Sequence, residues 1–341
     1  MKPQHNKKSV RTMLLASAVT LASLGSASIG VAGVIYQWSG AAGAGSATSW
    51  GIANNWAGAA LPVANSEVTF GGAFQSGLSI SIAGTVPMSR FTIDTDKSFS
   101  LNADAAAGAN TLTLSQGRMD RINTSSGTQT IAANVAQQAA GAWDIRGGGA
   151  MVVSGVVSGS SITKMGNGTL ILSGANTHAR TIVNEGTVQI SATANLGAAT
   201  GTLALSNAAL AVFGSVTVDQ PIQLAGTGTV SIPSGTVYLQ GGIHGNGNLV
   251  KAGPGRMRLF GNGINTYTGN VTNLEGQLLT NSSSLRGNVT NYGELQLSQT
   301  STGTYTSNIS GPVYVLIGGG NITFTGNNSF TGGMTINDTI V

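Results

Sequence analysis

One stretch of this chain occurs three times, and that repetition restricts the fold more than any local preference does. SGSSITKMGNGTLILSGANTH begins at Ser158, HGNGNLVKAGPGRMRLFGNGINTYTGN at His244, and SGPVYVLIGGGNITFTGNNSFTGG at Ser310. One constant offset lays Gly166 on Gly318, Gly168 on Gly320, Gly174 on Gly326, Asn176 on Asn328 and His178 on Phe330. The middle copy carries Gly253, Gly255, Gly261, Asn265, Thr266 and Tyr267 in the same order. A unit this small cannot bury its own apolar side chains, so neighbouring copies must supply the missing surface.

The text between the copies has the same grammar. Short alternating runs such as Leu78-Ser79-Ile80-Ser81-Ile82, Thr111-Leu112-Thr113-Leu114, Thr169 to Leu172 and Thr236 to Leu239 are bounded by Gly, Asn or Ser. Alternation with a period of two reads as half-buried strand. Only Ala132 to Ala142 would suit a helix, and no amphipathic helix separates the strands. That excludes alternating βαβ units. Asn-Gly hairpin signals are sparse (Asn167-Gly168, Asn246-Gly247 and Asn262-Gly263), which disfavours an antiparallel sandwich. The expected fold is all-β: an elongated right-handed parallel β-helix, or solenoid, with a β-rich N-terminal cap. At about 20–25 residues per coil it would have on the order of 13–15 coils and a length of about 60–70 Å.

Glycine supplies 51 of 341 residues and charged residues only 8%, and there is no cysteine. Neither a disulfide framework nor a thiolate metal site is therefore available. Lys2, Lys7, Lys8 and Arg11 precede the apolar run Met13 to Leu24 and the small residues around Ala27 and Ala32. This is the order of a secretory signal, and the run is too short to span a bilayer comfortably. Cleavage there removes four of the 15 basic residues, leaving eleven against 11 acidic ones. The high pI thus belongs to the leader and does not argue for nucleic acid. The expected organisation is a signal at 1–32, a capping segment at 33–100 and a β-helix at 101–341, with repeats near 158–187, 244–276 and 310–338. Trp38, Trp50 and Trp56 are expected to close the N-terminal end, since large aromatics bring much apolar area at few positions.

Lys164, Gly166, Gly168, Thr169, Leu170, Leu172, Gly174, Asn176 and Thr177 form one run, and Lys251, Gly253, Gly255, Gly261, Asn265, Thr266, Tyr267 and Gly269 form another. These runs resemble the autotransporter-associated β-strand repeat. Asn195-Leu196-Gly197 and the N-terminal tryptophans resemble its usual surroundings. The resemblance is strong from about Trp143 onward. It implies a passenger exported to the cell surface or extracellular space of a Gram-negative bacterium. It also implies a C-terminal outer-membrane barrel, which this sequence does not include; the chain stops inside a repeat, as a fragment or an early-terminated product would. The third copy departs from the pattern, with Leu316 in place of the lysine.

Little in the chain points to chemistry. His178 aligns with Tyr267 and Phe330, so it reads as an occupant of an aromatic packing slot, and His244 falls in a turn. Asp94 and Asp96 would face the same side of a strand, as a calcium ion requires, but Asp96-Lys97 reads more simply as a solvated turn. Glu185, Asp219, Glu275 and Glu294 are widely spaced. A carbohydrate-active β-helix would need two such acids in one groove. The triglycines at 147–149 and 318–320 precede no helix, so they make no phosphate cradle. No catalytic, cofactor-binding or metal residue is assigned and no enzyme is expected. The expected role is structural, in adhesion or self-association, with a host-cell, matrix or glycan surface or a second copy as partner. The alternatives are the carbohydrate-active enzyme and a non-functional truncated passenger.

Overall fold

The computed structural model describes residues 34–40, 48–71, 77–105, 110–123, 126–260 and 265–337. The export signal read at 1–32 and the pair Asn262-Gly263 lie outside them. Among the described residues every strand ladder is parallel, and the only helical elements are the short 3-10 turns Ala53–Asn55 and Thr193–Leu196. The fold is a parallel β-solenoid of about 12 turns.

Each complete turn lays down strands on three faces. On the first, Ile162, Thr181, Leu203, Ile222 and Ile243 stack in register. Met151, Leu170, Val188, Leu210 and Val230 stack on the second. On the third, Val216, Val237, Met257, Leu278, Leu295 and Val315 do so. Nearly all of these side chains are fully buried, so the core is three apolar columns meeting along the axis of the coil. Each buried aliphatic side chain contributes roughly 1.5–3 kcal/mol. Alternation explains the geometry: in Thr169–Leu172, Leu170 and Leu172 point inward while Thr169 and Ile171 point out.

The turns are fewer than a uniform 20–25-residue coil gives, because the early ones are long. Ile35 pairs with Glu67, and Arg90 with Arg118, whereas later turns join residues 17 to 22 positions apart. The 132–142 stretch is not a helix. It contributes Asn134–Gln137 and the start of Gly141–Ile145, because its alternate residues Ala133, Val135 and Gln137 are buried. At the N-terminal end Trp38, Trp50 and Trp56 are buried against Phe70. The Trp38–Trp56 and Trp50–Trp56 ring centroids lie 5.0 and 4.7 Å apart in edge-on contact. Their first-face ladder runs on from Ile35–Trp38 through Glu67–Phe70 into the following turns.

The three copies share a sequence but not a face. The first begins on the first face with Ile162–Met165. The second begins on the second face, where Leu249 stacks on Gly228. The third begins on the third face, where Val315–Gly318 stacks on Glu294–Ser298. Each copy is therefore advanced by one face, about a third of a turn, relative to the one before.

Candidate functional site

The two repeat lysines are inside the solenoid. Lys164 alternates with Ile162 and Lys251 with Leu249, so strand parity turns both inward, and both are fully buried. The Lys164 ammonium donates to the carbonyls of Met165 (2.9 Å), Gly166 and, one turn on, Glu185 (3.1 Å). Lys251 repeats this with Ala252 (3.4 Å), Gly253 and Glu275 (2.7 Å). Three N–H donors thus meet three carbonyls at the corner. Burial pushes both ammonium groups down to about 8, against attraction from Glu185 and Asp144 at Lys164 and from Glu275 at Lys251. The glycine after each lysine corner closes the bend. Gly166 (φ 72°) and Gly253 (φ 77°) lie in the left-handed region, and a Cβ there would sit 2.5 Å from Asp144 Oδ1 and 2.6 Å from the Ile232 carbonyl respectively. In the third copy Leu316 points outward between buried Val315 and Ile317, and the left-handed corner moves from the aligned Gly318 to Gly319. Without a lysine to hold the corner, the strand has slipped by one residue, which exchanges its faces.

The histidines are not brought together. His178 is buried, and its Nε2–H donates to Thr181 Oγ1 (2.8 Å), whose hydroxyl donates to the Leu196 carbonyl of the next turn (2.9 Å). Its Nδ1 has no partner, so a second ring proton would be buried without an acceptor, and burial lowers the imidazole to about 4. This is a neutral packing residue, like Tyr267 in the second copy, which is buried and accepts from the Arg286 amide (2.9 Å). Burial raises the Tyr267 phenol to about 12. His244 lies at the surface with Nδ1 2.8 Å from Thr266 Oγ1.

Asparagines join turn to turn both inside and outside. Asn176 accepts from the Val157 amide (2.8 Å) and donates to the Asn195 carbonyl (2.7 Å); Asn265 does the same between Ile243 and Ser284 (2.8 and 3.0 Å). On an outer corner Asn248, Asn270, Asn288 and Asn308 each accept the amide of the residue stacked one turn later, at 2.7–3.1 Å.

The acids divide. Asp94 and Asp96 are exposed, and Asp96 pairs with Lys97 at 2.8 Å. Among the described residues no group of three His, Cys, Asp or Glu side chains could hold a metal ion. Asp219 and Glu275 are exposed, and Glu294 accepts from Gln277. Glu185 is brought into one surface cleft with Asp144, Arg146 and Gly166, of about 410 Å³. Asp144 is held by Arg146 at 2.6–3.0 Å, and Glu185 accepts the Gly166 amide at 3.2 Å. Both acids act here as hydrogen-bond acceptors. The buried Asp120, which binds Arg90 (2.6 Å) and Arg118 (2.7 Å) from two successive turns, was not signalled by spacing.

These features define a class: a repeat-built parallel β-solenoid in which buried lysines and asparagines tie one turn to the next. Residues 162–190, 249–276 and 316–338 match the passenger-associated-transport repeat. A curated relative, named Adhesin BmaC autotransporter, from Brucella suis biovar 1 (strain 1330), is 34% identical over 125 residues. The match takes in 36% of this chain and spans 4% of the length of that protein. No solved structure matches the chain.

Proposed function

We propose that this chain is part of an exported, surface-displayed autotransporter passenger, and that it serves as a non-catalytic scaffold for adhesion or self-association. The observation that carries this reading is that the transport repeats lie within the solenoid and turn their lysines and His178 into its interior. Lys164, Lys251 and His178, all within the matched repeats, bond to neighbouring backbone or to Thr181. The likeness to a protein named as an adhesin supports the same reading. So does the outer surface, where Leu274 and Tyr292 occupy adjoining turns and are 49% and 53% exposed, giving apolar contact area beside polar corners. Many weak contacts repeated along such a surface gain strength through multivalency.

The test is to purify the chain without residues 1–32, then measure its binding to epithelial cells and to extracellular matrix, and its self-association by sedimentation velocity. Binding to at least one of the three is expected; binding to none of them would sink the proposal. A second reading, a carbohydrate-active β-helix, is favoured by the convergence of Asp144 and Glu185 in one cleft. It predicts polysaccharide cleavage that disappears in both Asp144→Asn and Glu185→Gln, and the absence of any cleavage by the wild-type chain would exclude it.

A further inference from the structure

A second cleft, on the third face, holds a cation that the scaffold does not use. Arg258 belongs to Arg256–Leu259, whose Met257 and Leu259 are buried, so Arg258 points outward. Its guanidinium lies over two rings, 4.9 Å from the Tyr238 centroid one turn earlier and 5.3 Å from the Phe260 centroid. Such stacking holds the planar group in place and strips part of its hydration. Yet its Nε is buried with no hydrogen-bond partner, and among the described residues no carboxylate pairs with it. A buried N–H without an acceptor costs about 1–3 kcal/mol, and Arg258 also borders the open space of the cleft.

The space in front of Arg258 is a cleft of about 530 Å³, within the range typical of small-ligand sites. Its other walls come from two corner segments, 281–283 and 298–304, rich in Ser and Thr, and Arg258 is the only charged residue lining it. The walls are tied together across adjoining turns: Gln299 donates to Ser282 Oγ (2.8 Å) and accepts the Ser282 amide (3.1 Å). The cleft therefore combines one planar cation, an aromatic flank and a rim of hydroxyl and amide groups. A guanidinium fork matches a carboxylate, ring faces suit the apolar C–H surface of a sugar, and hydroxyls pair with hydroxyls. A phosphate would call for more positive charge than this single residue supplies.

We propose that the Arg258 cleft binds a carboxylated saccharide, of the uronic- or sialic-acid type, through a bidentate guanidinium–carboxylate pair. This assignment rests on the surface-display reading, since it supplies a ligand for the outward face of an adhesive scaffold.

The test uses the whole chain and two ligand series: oligosaccharides ending in glucuronate or N-acetylneuraminate, and the same compounds with the carboxyl reduced to an alcohol. Titration calorimetry or saturation-transfer NMR should detect the acids, with the alcohols bound at least about tenfold more weakly, the loss expected for one charged hydrogen-bonded pair. Arg258→Gln should reproduce that loss for the acids, and Arg256→Gln, outside this cleft, should not. The comparison of acid with alcohol on the wild-type chain needs no variant, so it stands even if Arg258→Gln fails to fold. Absence of acid binding, equal binding of acid and alcohol, or undiminished binding by a folded Arg258→Gln overturns the assignment. Cell or matrix binding that persists while no acid binds removes this inference and leaves the surface reading intact. Acid binding by a chain that engages neither cells, matrix nor itself removes the surface reading and leaves the cleft.

Discussion

Acid should loosen the solenoid first around His178. The folded imidazole sits at about 4 because burial opposes its charge, against an ordinary value of 6.5. Between these limits the unfolded chain binds a proton that the folded chain excludes, so stability is complete above about pH 6.5 and falls as the pH drops toward 4. The difference of about 2.5 pK units corresponds to about 3 kcal/mol at 1.36 kcal/mol per unit. His178→Phe places in the first copy the residue that the third copy has at Phe330, and removes the titrating group. At pH 7 it should cost about 1 kcal/mol for the lost bond to Thr181. Near pH 4 it should be more stable than the wild type by about 2 kcal/mol. Because solenoids open in segments, the assay is hydrogen exchange of the Val157, His178 and Leu196 amides at several pH values, rather than one global melt. Equal pH dependence of exchange in the two proteins would refute the reasoning.

Further perturbations separate the supports of the fold. Lys164→Met should cost about 2 kcal/mol, because it leaves the carbonyls of Gly166 and Glu185 without a donor; denaturant titration followed by circular dichroism checks it. The buried lysines also fix an alkaline signature: with folded values of about 8 against 10.5, stability should rise from pH 8 toward 10, and less steeply in Lys164→Met. Above pH 10 the trend should reverse, since Tyr267 keeps its proton in the fold up to about 12. Gly253→Ala should destabilise by more than about 1 kcal/mol, because its positive φ and the nearby Ile232 carbonyl both oppose a methyl group, as thermal denaturation would register. Asn265→Ala should cost about 2 kcal/mol by leaving buried Ile243 N–H unpaired, while Asn288→Ala, on the exposed corner, should cost under about 1 kcal/mol; reversal of that order in urea midpoints would contradict the two roles.

Much of this architecture is written in local pattern. Alternation such as Thr169 to Leu172 gives the strands and their inward residues, and the three copies give the solenoid. The inward lysines were legible too, by parity: Ile162-Thr163-Lys164 places the lysine on the face of the isoleucine. A charged residue in a strand is ordinarily read as outward, and only the corner carbonyls it meets in three dimensions reverse that expectation. The advance of each copy by one face is hidden because later turns vary from 17 to 22 residues, so sequence spacing does not translate into a count of corners. The same variability concealed the meeting of Asp144 with Glu185, two turns apart, and of Arg258 with the loops that flank it. The slip in the third copy has a visible signal, the loss of the lysine at Leu316, but its result, exchange of the two faces, depends on which glycine takes the left-handed bend. His178 is legible as a packing position because the aligned copies place aromatic rings at Tyr267 and Phe330.

The central claim is a parallel coil in which sequence copies occupy successive faces, and paired cysteines test it directly, since the chain has none of its own. Thr272 and Thr290 are register partners on adjoining turns of the second face, and Thr163 and Val250 are equivalent positions in two copies. Spin labels at Thr272→Cys and Thr290→Cys should broaden each other strongly, as side chains one strand spacing of about 4.8 Å apart must. Labels at Thr163→Cys and Val250→Cys, separated by several turns and one face, should show no such broadening. An uncoupled 272–290 pair, or a closely coupled 163–250 pair, would contradict the account.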